Sequence, residues 1–146
     1  FSDVLTMFLA LNASVELYKG GVVPLAEYAQ RPYDRDILVR VLVPKENARF
    51  VYQSVRNSQT DFPVLTCAAA KLADGSIRAA IGARPGKAVL YTAAPEAGET
   101  AEEFAARFAA EVKAGIKTES NLRGGAEYRR HLAGVLTKRA VGRLEG

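Results

Sequence analysis

Adjacent carboxylates stand at Glu102 and Glu103, and Asp34 and Asp36 flank Arg35. Paired carboxylates do general acid–base work when their surroundings drive their pKa values apart. Glu102 and Glu103, however, open a helical pattern, where the helix dipole and a cap already account for them. Asp34 and Asp36 lie beside Pro32 in a segment that reads as a turn or a surface pair. The single thiol, Cys67, sits among Thr66 and Ala68 in a strand pattern and reads as a small buried side chain. With His131 as the sole imidazole, one cysteine excludes an internal disulfide framework and a multi-ligand Cys/His zinc site. It also argues against a Ser-His-Asp or Cys-His engine. The glycine pairs Gly20-Gly21 and Gly124-Gly125 match neither a dinucleotide fingerprint nor a Walker loop. The second pair precedes a helix, so its amides could face an anion, but a flexible helix entry explains it as well. Most suggestive is the polar run Arg56-Asn57-Ser58-Gln59-Thr60-Asp61 between two strand patterns, which fits a ligand mouth or a subunit contact.

Charge adds a second clue. The 146 residues carry a formal net charge of +4, and the surplus gathers near the C-terminus. Arg123, Arg129, Arg130, Lys138, Arg139 and Arg143 face only Glu127 and Glu145 there. Tyr128 is the one aromatic side chain among these arginines, which gives base stacking little support. A solvated or docked helix face is the plainer reading, and no nucleic-acid partner is expected. No apolar run approaches the roughly 20 residues that span a bilayer, so no membrane role is expected either. Phe1 is not methionine, and the start resembles neither a signal peptide nor a fresh N-terminus. A piece of a longer chain is the expectation.

The elements that must position these residues follow from periodicity. Ser2 or Asp3 caps a first helix carrying Leu5, Phe8, Leu9 and Leu11. Ser14–Tyr18 alternates as a strand, Lys19-Gly20-Gly21 turns, and residues 22–28 form a short strand or helical turn. Ile37–Val43 is the clearest strand, mostly β-branched and closed by Pro44. Lys45-Glu46-Asn47 is the preferred domain boundary. Beyond it, Arg49–Val55 is a strand candidate. Phe62–Ala73, Ser76–Ala83 and Lys87–Thr92 predict a three-stranded antiparallel meander. Asp74-Gly75 predicts a two-residue type I′ hairpin. Thr100…Glu103 is a capping box, and Phe104, Phe108, Val112 and Ile116 form a buried stripe. A last helix over 126–142 should bury Tyr128, Leu132, Val135, Leu136 and Ala140 and turn its arginines to solvent. The whole predicts an α+β fold.

The succession Ser2-Asp3, Leu9-Ala10-Leu11-Asn12-Ala13, Asp36-Ile37…Val43-Pro44, Arg56…Asp61-Phe62-Pro63-Val64 and Ala126-Glu127-Tyr128-Arg129-Arg130 resembles the FAD-binding subunit of molybdenum hydroxylases, the xanthine dehydrogenase and carbon monoxide dehydrogenase group. The resemblance covers essentially the whole chain. It implies that residues 1–46 end a second FAD-binding subdomain. Residues 47–146 would then form the C-terminal domain, a three-stranded antiparallel sheet packed with a small helical bundle. It implies FAD as cofactor, electron transfer to an acceptor, and a molybdopterin-binding subunit and a 2Fe-2S subunit as cytoplasmic partners. By position, Asp3 matches the family's aspartate near the flavin, Pro32 stands where a leucine is common, and Gln53 stands where a lysine is frequent. The glycine-rich pyrophosphate segments of the family do not occur in these residues. This chain alone is therefore expected to be inactive and to hold FAD weakly. The competing reading is a non-catalytic interaction or assembly module with the same fold and no flavin.

Overall fold

The computed structural model describes residues 3–32, 35–45 and 49–145, with the side chain of Asp3 left aside. Ser2, Asp34, Glu46 and Asn47, named above for a cap, a carboxylate pair and the domain boundary, lie outside the described residues. In chain order the elements are α1 (Asp3–Ala10), β1 (Ser14–Leu17), β2 (Gly21–Pro24), α2 (Leu25–Tyr28), β3 (Leu38–Leu42) and β4 (Arg49–Val55). They continue with β5 (Leu65–Lys71), β6 (Ile77–Gly82), β7 (Val89–Ala93), α3 (Ala101–Gly115) and α4 (Ala126–Glu145).

The fold is α+β, built on two antiparallel sheets of order β2-β1-β3 and β4-β5-β6-β7. The meander expected over 62–92 is present as β5-β6-β7, and β4 pairs along β5 from Arg49↔Lys71 to Val55↔Leu65, making four strands rather than three. β5 starts at Leu65, not Phe62, because Pro63 offers no N–H to a ladder. Both faces of the large sheet are covered, which explains why β5 reads Leu-Thr-Cys-Ala-Ala-Ala rather than apolar/polar in alternation.

On one face α3 and α4 bury Phe104, Phe108, Val112, Leu136 and Val141 against Val64, Cys67, Ile77 and Ile81. The rings of Phe104 and Phe108 stack at 5.9 Å. The capping box forms as expected: Glu103 N–H donates to Thr100 Oγ1, and Thr100 N–H donates to Glu103 Oε2. On the other face α1 and β1 bury Leu9, Ala10, Ala13 and Val15 against Ala68, Ala70 and Ala80. Alanines on that face let the helix approach closely. At the contact Thr6 Oγ1 and Thr66 Oγ1 lie 3.2 Å apart, and a Cβ at Gly82 would collide with both hydroxyls.

Two local expectations give way. The β5–β6 hairpin is a three-residue loop, with Gly75 N–H donating to Leu72 O and positive φ at Gly75 (84°) but not at Asp74. Asp74 instead accepts from Ser76 N–H and Oγ–H, which favours a right-handed turn closed by a glycine bulge. In α4, Tyr128 is exposed and Arg129 is buried at 1% exposure, so the arginines do not all face solvent.

Candidate functional site

Two cavities in the described surface share Lys87 as a lining residue. The first, of about 420 Å³, lies where α1, α2 and the small sheet meet. Val4, Leu5, Phe8, Val15 and Leu38 make it apolar, and Pro32 stands in its wall. Two cations reach it, each held by a neighbour. Arg31 Nη2 donates to Glu27 Oε1, and Lys87 Nζ donates to Ala29 O at 2.7 Å. A cavity of this size and lining suits an apolar group with a charged edge.

The sequence-derived flavin residues are not all gathered there. Asp3 opens α1, one residue before Val4 of the cavity wall. Pro32 lines the cavity. Gln53 shares a cross-strand position with Cys67 on the α4 face of the large sheet, and its Nε2 donates to Leu136 O at 3.4 Å. It therefore stands on the opposite face of that sheet from α1.

The two glycine pairs are committed to the fold itself. The amides of Lys19 and Gly20 donate to the Asp36 carboxylate, at 2.8 Å for Gly20, and Ile37 N–H adds a third bond at 2.7 Å. Despite partial desolvation, these backbone donors hold Asp36 below the ordinary carboxylate range. A nest of amides that could cradle a phosphate is thus filled by a side chain of the same chain. At the second pair, Gly124 N–H donates to Asn121 O, and Ala126 N–H donates to Ser120 Oγ.

The polar run after β4 folds against the turn before α4. Arg56 Nη1 donates to Asp61 O, Asn57 Nδ2 donates to Arg123 O, and Arg123 Nη2 pairs with Asp61 Oδ1 at 3.0 Å. Hydrogen bonding from Arg123 is the main cause that holds Asp61 below the ordinary carboxylate range. Arg123 also lies 5.2 Å over the Phe62 ring centroid. The second cavity opens here, about 580 Å³, between Phe62-Pro63, the Ala83–Lys87 turn and the Asn121–Arg123 loop.

Arg129 anchors that corner from beneath. Its Nε donates to Val64 O, its Nη1 donates to Glu119 O and Gly124 O, and its Nη2 donates to Asn121 Oδ1. The sequence reading missed it because a charge was assigned to solvent, although Arg129 stands one turn before Leu132 and Ala133 on the buried stripe. Elsewhere, burial pushes the Cys67 thiol up to about 12, so it is inert at neutral pH. No group of three His, Cys, Asp or Glu able to hold a metal occurs among the described residues.

Comparison with known proteins bears on the family and the fold. Residues 50–144 match the family described as the CO dehydrogenase flavoprotein C-terminal domain. No curated protein sequence matches significantly. Among solved structures, carbon monoxide dehydrogenase from Hydrogenophaga pseudoflava, in a form lacking the Mo-pyranopterin moiety, superposes with a TM-score of 0.78 at 22% identity. That match covers 99% of this chain and 56% of the other. Quinoline 2-oxidoreductase from Pseudomonas putida 86 gives 0.75 at 19% identity, covering 98% and 55%. Reconstituted CO dehydrogenase from Oligotropha carboxidovorans gives 0.77 at 20%, covering 98% and 56%. At these identities the likeness concerns fold, and the chain spans little more than half the length of each relative. The chain belongs to the CO dehydrogenase flavoprotein C-terminal domain family.

Proposed function

We propose that this chain supplies the C-terminal part of an FAD-binding oxidoreductase subunit of the molybdenum hydroxylase type. In this reading it forms one wall of the flavin site and a body on which partner subunits dock. Residues 1–46 close the flavin-binding part, and 47–146 form the C-terminal domain. The observation that carries the reading is the apolar cavity beside α1, in a chain whose residues 50–144 carry the flavoprotein-domain signature.

The residues fit one face of the flavin rather than the whole dinucleotide. Val4, Leu5 and Phe8 offer an apolar wall that excludes water from a ring laid against it. Pro32 has no N–H and therefore acts by shape and through its carbonyl. Asp3, one residue before that wall in the chain, is assigned the acceptor role toward ring or ribityl groups in this reading. Arg31 and Lys87 bring positive charge to the cavity, which favours extra negative charge on a bound ring. The amide donors that would neutralise a pyrophosphate are the part not supplied, because Asp36 takes those of Lys19 and Gly20. Gln53, tied to α4, has no contact role in this reading. When bound, FAD supplies the redox centre that takes electrons from a molybdopterin and 2Fe-2S side and passes them to an acceptor.

Partner docking draws support from β3, where Val39 and Leu42, which do not line the flavin cavity, are exposed on an edge strand of the small sheet. An apolar edge of this kind marks an interaction surface. No helix among the described residues is long and apolar enough to cross a membrane. A cytoplasmic site of action goes with the reading.

Amide chemical-shift mapping with lumiflavin, the ring without ribityl or phosphate groups, tests it. Lumiflavin should shift Leu5, Phe8 and Leu38, and Phe8→Asp should remove the effect. Shifts spread elsewhere, or none at the solubility limit, would refute the assignment of the wall.

A further inference from the structure

The second cavity has a chemistry of its own. Its lining includes Lys87, Arg123 and Arg129 and no carboxylate. Arg129 meets only neutral acceptors, three carbonyls and the Asn121 amide oxygen. Burial, then the nearby Arg123 charge, lower its proton affinity below that of an ordinary guanidinium. Arg123 has one acidic partner, Asp61, which sits outside the lining. The cavity therefore concentrates positive charge that the fold only partly balances: Lys87, now bonded to the neutral Ala29 carbonyl, and Arg123 can turn to an entering anion, and Arg129, 1% exposed with its donors on protein acceptors, adds its charge from beneath.

The walls are built rather than fluid. Ala83 adopts φ 57°, a left-handed conformation that is unfavourable for a residue with a Cβ. The turn that contains it is latched by Arg84, whose Nε donates to Lys87 O at 2.7 Å and whose Nη1 donates to Lys117 O at 2.8 Å. Strain held in this way gathers at ligand sites. Facing the turn, the Asn121 side chain is fixed by accepting from both Arg129 Nη2 and Arg123 N–H. Phe62, Pro63 and Pro85 add apolar surface beside the charges.

We propose that this cavity binds a phosphomonoester of a small organic molecule, its phosphate against Lys87 and Arg123 above the buried charge of Arg129, and its organic part against Phe62, Pro63 and Pro85. A phosphomonoester carries about −1.5 to −2 charges at neutral pH and matches several cations better than a single carboxylate does. The volume of about 580 Å³ leaves room for more than the phosphate alone. Lys87 lines both cavities, but the flavin reporters Leu5, Phe8 and Leu38 do not line this one, so failure of either reading is seen separately.

The test is amide shift mapping of the chain with inorganic phosphate, ribose 5-phosphate and ribose at low salt. Both phosphates should shift Gly86, Asn121 and Arg123. Ribose 5-phosphate should saturate at a concentration at least about threefold lower than inorganic phosphate, and ribose should do nothing. Lys87→Gln should weaken both phosphates about five- to tenfold and Lys87→Arg by less than about twofold. Arg143→Gln, exposed on α4, should leave binding within about twofold. Equal affinity for the two phosphates would overturn the organic part. Equal loss in Lys87→Gln and Arg143→Gln, or no shift at about 20 mM phosphate, would overturn the site.

Discussion

Replacing Arg129 by leucine removes a guanidinium that is 1% exposed and donates to four acceptors. Those acceptors are not equally vulnerable. Val64 is fully buried, so its carbonyl meets the whole desolvation cost, about 1–3 kcal/mol for an orphaned acceptor. Gly124 is half-buried, while Glu119 and Asn121 are exposed and regain water. Adding the lost charge-assisted bonds, and subtracting the relief of no longer burying a cation, leaves a net cost of about 3 kcal/mol. In a chain of this size that lowers Tm by roughly 10 °C. Arg129→Lys keeps the charge but not the planar fork, so it should recover less than half of the loss. Urea unfolding followed by far-UV circular dichroism measures both. Arg129→Leu within about 1 kcal/mol of the native chain, or Arg129→Lys equal to it, would refute the anchoring role.

Phe108→Ala, at the centre of the α3 stripe, should cost about 3–5 kcal/mol, whereas exposed Arg143→Ala should stay within about 0.5 kcal/mol; similar denaturation midpoints would contradict the helix faces. Acid should loosen the start of α3. Hydrogen bonding from Arg107 lowers Glu99 to about 2 from its ordinary 4.5, so its stabilisation is complete above pH 4.5 and disappears as pH falls through about 2. Glu99→Gln should flatten that part of the stability–pH curve, and an unchanged acid limb would show that the pair contributes nothing.

Much of this was legible in the chain because the signals were periodic and local. Thr100 and Glu103 stand at capping-box spacing, and Phe104, Phe108, Val112 and Ile116 recur every fourth residue. Ile37–Val43 reads as a strand, and β3 lies within it, yet its exposure was not readable, since burial depends on what lies across from an edge. Arg129 was misplaced because residue type outweighed period. Its spacing to Leu132, Ala133 and Leu136 follows the buried stripe. The Asp74-Gly75 turn shows the limit of a dipeptide signal, since a side-chain bond from Asp74 to Ser76 changes which turn is stable. The second cavity joins Lys87 to Arg123 across three segments of chain, a juxtaposition that no spacing announces. Likewise, nothing local said that Asp36 would fill the amides of Lys19 and Gly20.

That last contact bears on the central claim, that the chain gives one wall of a flavin site and not the dinucleotide cradle. Equilibrium titration of FAD into the purified chain, followed by flavin fluorescence, measures this directly. Binding should be saturable and 1:1 with Kd no tighter than about 100 µM, roughly −5.5 kcal/mol, and Phe8→Asp should abolish it. Purification with one equivalent of tightly held flavin, or no saturable binding up to millimolar FAD, would contradict it.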